Sequence, residues 1–354
     1  MTVLQNNNKF HIEQGQIKTY DKLPTGTYSV EQNPTGDLYL ALHENLKTDC
    51  KIYGKISTKV SKVFDTYFAY PKSMGVLLAG AKGTGKTLFA KKICEFAIEQ
   101  QIPVILVNQP FGKLADFIDS IKQEVVILFD EFDKTMLIQT FRGSSCDSSL
   151  LTLLDGTSMN KKLFIFTVND VKLIGSNLLN RPGRIHYRFD FTIPDIANIN
   201  EYLQDEISDD KQSVIPEILN MSVRIPLNYD SLRAIAFEVN NGNSLEDALY
   251  DLNINYSSIL IYHVEIYLID DFNTLTNDKV KINFDDENIE FISGYGYNSE
   301  RYRVYMNLKN IKTDIENEAL IVSGDDIKII CTETSKHFPK AHFAKLKLTN
   351  KAEC

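Results

Sequence analysis

The sequence predicts an α/β fold: a parallel sheet covered by helices, followed by a helical subdomain and a β-rich C-terminal domain, with a short β-rich region at the N-terminal end. Three observations predict it. Apolar runs recur at residues 75–79, 104–107, 125–129 and 163–168, with helix-patterned segments at 88–100 and 113–123 between them. Continuous apolar runs suit strands buried on both faces, and alternation with helices gives a parallel sheet. After about residue 255 the pattern changes to short strands separated by polar turns, which suggests a small sandwich or barrel.

Taken in order, residues 1–48 form the N-terminal β-rich region. It opens polar and Asn-rich, then reads as a hairpin: strands at 27–30 and 38–42 around the turn Asn33-Pro34-Thr35-Gly36. The stretch is too short for a large core of its own and is expected to lean on another domain. Residues 49–194 form the α/β domain. Residues 195–254 form the helical subdomain, with helices expected at 196–207, 215–221, 231–239 and 245–252. Residues 255–354 form the β-rich domain, with strands expected at 264–269, 279–284, 289–292, 302–308, 319–322, 327–331 and 343–348. Turn signals separate these strands at Thr276-Asn277-Asp278, at 285–288, at Ser293-Gly294 and at 323–326.

Composition bounds the function. The 354 residues suggest about two domains at roughly 150 residues each. A hydrophobic share of 43% excludes wholesale disorder. No window approaches the roughly 18 apolar residues of a membrane span, and the start MTVLQNNNKF lacks the pattern of a signal peptide. The five cysteines, Cys50, Cys94, Cys146, Cys331 and Cys354, are scattered, which points to free thiols in a reducing cytoplasm. A formal net charge of -9 argues against a protein that mainly coats nucleic acid, while leaving room for a local basic channel.

One motif carries the chemistry. The run at 75–79 leads into Gly80-Ala81-Lys82-Gly83-Thr84-Gly85-Lys86-Thr87, followed at Leu88 by a helix-forming segment. This is G-x-x-x-x-G-K-[ST] in its strand–loop–helix setting. The glycines let successive N–H groups point at phosphate oxygens, and the helix N-terminus adds its positive dipole end. Lys86 reaches the β- and γ-phosphates, and the Thr87 hydroxyl ligates Mg²⁺.

Polar residues at neighbouring strand ends complete the pattern. The run at 125–129 ends in Asp130-Glu131-Phe132-Asp133, with Asp130 as the Mg²⁺ residue and Glu131 as the base that polarises water. The run at 163–168 ends at Asn169, placed to bond the γ-phosphate or orient the water. The turn Arg181-Pro182-Gly183-Arg184 holds two always-charged guanidinium groups close together, suited to stabilising phosphoryl-transfer charge.

These residues resemble the AAA+ ATPases, and more narrowly the AAA clade, over about residues 50–250. The specific markers are Leu150-Leu151-Thr152-Leu153-Leu154-Asp155-Gly156 and Arg181-Pro182-Gly183-Arg184, beside the phosphate loop, the acidic pair and Asn169. The resemblance implies a Mg²⁺-dependent ATPase with ATP between the α/β core and a helical lid. It implies that Arg181 and Arg184 act on the ATP of a neighbouring subunit, in a homo-oligomeric ring commonly of six. It also implies that Tyr53 and Gly54, in Ile52-Tyr53-Gly54, pack around the adenine. Two features depart from the clade. The pore loop after the second strand is short, Asn108-Gln109-Pro110-Phe111-Gly112-Lys113, so Phe111 stands either as a pore contact or as a core contact. The Gly-Ala pair that opens one lid helix is replaced by Asn228-Tyr229-Asp230-Ser231-Leu232-Arg233, so Arg233 stands as a sensor arginine or an exposed helix residue.

For the cellular task, the resemblance and the acidic balance favour a cytoplasmic machine that remodels, unfolds or disassembles a protein client. A nucleic-acid motor or replication/packaging factor and a nucleotide-switched scaffold are the alternatives. His186 reads as structural or interfacial rather than catalytic. Lys161-Lys162 reads as a solvated basic spot, and Tyr295, Tyr297, Tyr302 and Tyr305 read as β-core or, less favoured, a binding surface.

Overall fold

The fold is that of a computed structural model, which describes residues 2–6, 9–13, 18–48, 50–54, 56–135, 154, 161–174, 184–254, 260–269, 274–284, 286–294, 301–331 and 339–349. The chain divides into two compact units, Met1–Ala79 with Lys86–Asp190, and Gly80–Gly85 with Phe191–Cys354.

In the first unit, β1 (Thr2–Asn6) and β2 (Lys9–Glu13) pair as an antiparallel hairpin. The other elements are β3 (Thr27–Gln32), β4 (Leu38–His43), α1 (Ile56–Ala69), β5 (Met74–Gly80), α2 (Lys86–Glu99), β6 (Val104–Val107), α3 (Leu114–Ser120), β7 (Val125–Phe129), α4 (Phe132–Thr135), β8 (Lys162–Val168) and β9 (Ile185–Phe191). They build a seven-stranded sheet in the order β4-β3-β6-β7-β8-β5-β9. The β3/β6, β6/β7, β7/β8 and β8/β5 pairs are parallel. β5, β7 and β8 are buried almost throughout, as continuous apolar runs require when helices cover both faces.

The hairpin β3/β4 forms around Asn33–Gly36 with the Gly36 N–H donating to Asn33 O at 2.9 Å. It leans on the sheet directly, because β3 runs parallel to β6 with Tyr28 opposite Ile105. The helix α1 and the strand β9 were not anticipated. In β9 the buried ends Ile185 and Phe191 enclose exposed His186, Arg188 and Asp190. That alternation of polar and apolar residues hides the strand from any search for apolar runs.

The core of this unit is aromatic. Phe129 stacks on Phe166 at 5.1 Å, and Phe132 meets Phe166 edge-on at 5.0 Å. Phe111 belongs to the same core, 8% exposed, so it is a core contact rather than a projecting pore residue. The pair Lys161-Lys162 is not a solvated spot. Lys162 is fully buried, its ammonium donating to Ile121 O at 3.2 Å, and burial lowers its pKa. The Lys161 ammonium lies 4.3 Å from the centre of the Tyr67 ring, a contact that a lysine stem buried along apolar surface makes readily.

In the second unit, four helices follow β9: α5 (Ile196–Glu206), α6 (Ile215–Ser222), α7 (Tyr229–Asn240) and α8 (Leu245–Asp251). Three of them start at side-chain caps. Asp195 accepts from Asn198 N, Asn228 from Ser231 N and Ser244 from Asp247 N, each worth about 1 kcal/mol against alanine. The β-rich part comprises β10 (Leu260–Leu268), β11 (Thr274–Ile282), β12 (Asn288–Gly294), β13 (Arg301–Asn307), β14 (Lys312–Asp314), β15 (Ala319–Ser323), β16 (Ile327–Cys331) and β17 (Ala341–Leu348). A five-stranded sheet, β11-β10-β17-β15-β14, and a three-stranded sheet, β12-β13-β16, share one core. This is the sandwich form of the expectation.

Three details differ from it. Ser293-Gly294 lies at the end of β12, paired with Tyr302 and Arg301 of β13, rather than in a turn. Thr276-Asn277-Asp278 lies inside β11 rather than at a turn, opposite an irregularity between Tyr262 and Val264 of β10. The Asn277 amide supplies its own partners there, donating to Ile292 O and accepting from Lys279 N. The short β14 is an additional strand, and Lys312-Thr313-Asp314 carries no apolar signal. Of the four tyrosines read as core, Tyr302 packs against it, Tyr305 is half-buried, and Tyr295 and Tyr297 lie outside the described residues. Val223 sits in the sandwich core, and the Tyr262 hydroxyl donates to Arg224 O at 3.0 Å.

Candidate functional site

The loop after β5 turns on its glycines. Gly83 has φ +74, a conformation that strains any side-chain-bearing residue, and a Cβ there would lie 2.7 Å from Asn228 Nδ2, so the Asn228 side chain would have to shift. Two loop carbonyls are held from the start of α7. Asn228 Nδ2 donates to Lys82 O at 3.2 Å, and the Tyr229 N–H donates to Gly83 O at 2.9 Å. Inside the loop, the Thr84 hydroxyl donates to Ala81 O at 2.8 Å. Leu88, in the first turn of α2, is half-buried.

Lys86 opens α2 and is only 6% exposed. Its ammonium donates to Asn169 Oδ1 at 3.0 Å. Burial lowers its pKa, and the carboxylates of Asp133, Asp130 and Glu131 act against that shift. The Thr87 hydroxyl donates to Asp130 Oδ1 at 3.3 Å. The sequence-predicted residues thus form two directly hydrogen-bonded pairs, Lys86–Asn169 and Thr87–Asp130.

Glu131 stands at the tip of β7 with φ +48, a conformation costly for a side-chain-bearing residue. Its carboxylate pairs with Lys134 at 2.5 Å, both residues being half-buried. Asp133 is 2% exposed and reaches across to the end of β8, where its Oδ2 accepts the N–H groups of Asn169 at 3.0 Å and Asp170 at 3.2 Å. Thr167, 1% exposed, donates to Asp130 Oδ1 at 2.6 Å and accepts from the Glu131 N–H at 2.8 Å.

The arrangement fits a nucleoside triphosphate and its magnesium ion. Among the described residues, Asn169 Nδ2 is buried without a hydrogen-bond partner, and a phosphate oxygen is the acceptor such a donor needs beside a lysine ammonium. Thr87 Oγ1 and Asp130 Oδ1 are oxygen donors of the kind magnesium takes. No group of three or more His, Cys, Asp or Glu able to hold a metal occurs among the described residues.

The remaining expected residues are placed as follows. Tyr53 is buried at 9% exposure with the Lys51 ammonium 5.2 Å from its ring centre, and Gly54 has φ +77. Arg184 is 6% exposed at the entry to β9. Arg181, Pro182 and Gly183, and the 150–156 stretch apart from Leu154, lie outside the described residues. Arg233 is exposed on α7 and bonds the Tyr202 hydroxyl. His186 is exposed and packs against Tyr70 and Tyr187. Sequence reasoning gave no role to Thr167, Asp133 or Asn228. Thr167 sits inside an apolar run and carried no signal; Asp133, three residues after Asp130, was visible but unassigned.

Residues 76–193 match the model of the ATPase family associated with various cellular activities (AAA). The chain is 32% identical over 161 residues to a vesicle-fusing ATPase of Arabidopsis thaliana, covering 37% of this chain and 21% of that protein. It is 32% identical over 145 residues to a 26S proteasome regulatory subunit 7 homolog of Saccharomyces cerevisiae, covering 35% and 31%. It is 32% identical over 142 residues to an ATP-dependent zinc metalloprotease YME1 homolog of Caenorhabditis elegans, covering 35% and 19%. The matched part therefore spans about a fifth to a third of the length of these relatives. Among the described residues, no helix is long and apolar enough to cross a membrane.

Proposed function

The chain carries a domain of the ATPase family associated with various cellular activities, and on that premise we propose that it hydrolyses ATP with magnesium to remodel a protein client. The observation that carries the reading is the set of bonds Lys86–Asn169, Thr87–Asp130 and Asp130–Thr167–Glu131 around one loop. Lys86 neutralises the β- and γ-phosphates, and the side-chain Nδ2 of Asn169 donates to the γ-phosphate. Glu131 accepts the proton of the water that attacks the γ-phosphorus, and the phosphorus–oxygen bond to ADP breaks as the new one forms. Thr87 and Asp130 would hold the magnesium ion, which would supply charge neutralisation to the transferring phosphoryl group. Tyr53 and Gly54 flank the adenine.

By family resemblance, the subunits form a ring, commonly of six, in which Arg181 completes the site of its neighbour. With Arg184 buried in its own chain, Arg181 is the arginine assigned to that contact. A protein client is favoured because the matched relatives are named for vesicle fusion, the proteasome and proteolysis. The burial of Phe111 in the core argues against gripping by that residue. The test is Glu131→Gln in the full chain. The reading requires nucleotide binding unchanged within twofold and turnover reduced at least about 100-fold. Equal turnover in the variant and the parent rejects it.

A further inference from the structure

We propose that Thr167 is a positioning residue that locks the acidic pair Asp130-Glu131 into its working geometry; this rests on the ATPase reading above. Thr167 lies on β8, opposite Leu78 of β5, and is 1% exposed. Its hydroxyl makes two bonds, to Asp130 Oδ1 at 2.6 Å and with the Glu131 N–H at 2.8 Å. The direction of each is fixed. A backbone amide only donates and a carboxylate only accepts, so the single hydroxyl proton must go to Asp130 and a lone pair to Glu131. Threonine or serine is the side chain that both gives and takes at this reach; valine has the same shape and does neither.

Each bond acts on a different part of the chemistry. The bond to Asp130 fixes the rotation of a carboxylate that also accepts the Thr87 hydroxyl at 3.3 Å. The bond from Glu131 N satisfies the amide of a residue held at φ +48. A non-glycine residue persists in that conformation only when its surroundings over-determine it. Thr167 is one such determinant, and the backbone of Glu131 sets where its carboxylate can reach. A single buried hydroxyl therefore couples the metal residue to the base.

The experiment compares Thr167→Val and Thr167→Ser with the parent and with Glu131→Gln, all as full chains with melting temperatures measured. Two readouts are taken: the kcat/KM split of ATP hydrolysis, and the exchange rate of the Glu131 amide in nucleotide-free protein. Thr167→Val should lower kcat about 10–100-fold, the usual cost of removing a group that orients a ligand of a metal site, with KM and nucleotide Kd within twofold. Its Glu131 amide should exchange at least tenfold faster. Thr167→Ser should restore both. Parent-like kcat and exchange in Thr167→Val overturn the proposal. So does equal loss in a folded Thr167→Ser, which keeps the hydroxyl and stands as the test if the valine variant does not fold. Failure of the ATPase reading looks different: the parent and Glu131→Gln then turn over alike, whatever the amide does.

Discussion

Asn169 Oδ1 accepts the Lys86 ammonium at 3.0 Å, which ties the first residue of α2 to the end of β8. The pairing leaves the other side of the Asn169 amide, Nδ2, buried and available. One residue thus holds the phosphate-loop lysine with its oxygen and offers a donor with its nitrogen. Its backbone is itself held, because Asp133 accepts the Asn169 N–H at 3.0 Å. Asp133 is also the foremost carboxylate acting against the burial of Lys86.

Asn169→Ala should lower kcat about 10–1000-fold while changing nucleotide affinity less, since a donor aimed at developing charge acts in the transition state. Asn169→Asp should be as impaired, because it exchanges the Nδ2 donor for a second acceptor. Steady-state kinetics with a nucleotide titration separate the two effects.

Gly83→Ala should abolish tight nucleotide binding. The added Cβ would lie 2.7 Å from Asn228 Nδ2 and 2.8 Å from Asp230 Oδ2, at φ +74. The strain alone costs on the order of 1–3 kcal/mol, and relief of the contact requires the Asn228 and Asp230 side chains to swing away, which breaks the Asn228 bond to Lys82 O. A fluorescent nucleotide titration and a melting curve measure both parts.

The strands that carry the site were legible because burial on both faces writes an uninterrupted apolar run, as at Val125–Phe129. The phosphate loop was legible because its glycines and lysine are demanded by phosphate geometry. Thr167 was hidden by the same logic, since a hydroxyl inside Lys162–Val168 reads as one more strand residue. The grip of Asn228 on Lys82 O spans 146 positions of chain and has no local signature. β9 was missed because its charged residues alternate with apolar ones. What pattern shows is burial; what it omits is which distant polar atoms meet.

Cys94 should stay unmodified in native protein under a thiol reagent that labels Cys50. Cys94 is fully buried on α2 and burial pushes its thiol up to about 12, whereas Cys50 is exposed. Thiolate is the reactive form, so a buried thiol with a raised pKa is inert at neutral pH. Peptide mapping by mass spectrometry reads both sites, and full unfolding should make Cys94 react.

Alkaline stability should report Tyr229. Its ring meets Tyr202 edge-on at 5.6 Å, and burial, reinforced by Asp195 and Glu201, pushes its phenol up to about 12 from 10.0. A raised phenol binds its proton more tightly in the folded chain. Its contribution is therefore full below pH 10 and is lost as the pH rises through about 12. Tyr229→Phe should lose stability less steeply than the parent across that window, as measured by urea midpoints at stepped pH. Equal slopes would show that the phenol ionises alike in both states.

The two arginines of the turn should separate by what they break. Arg184 is 6% exposed, so Arg184→Ala strips buried partners of a charged donor. That loss is expected to cost about 1–3 kcal/mol and to lower the melting temperature of the subunit on its own. Arg181→Ala should leave the melting temperature unchanged and reduce hydrolysis at least about 1000-fold, as loss of an arginine acting on the phosphoryl group does. Mixing resolves whether that action crosses subunits. Arg181→Ala keeps an intact phosphate site, and Lys86→Ala keeps an intact Arg181. Each variant is inactive alone, and in a mixed assembly an Arg181 from the Lys86→Ala subunit can serve the intact site beside it. Recovery of turnover on mixing places Arg181 in the neighbour's site, and no recovery in a mixture shown to co-assemble places its action within its own chain.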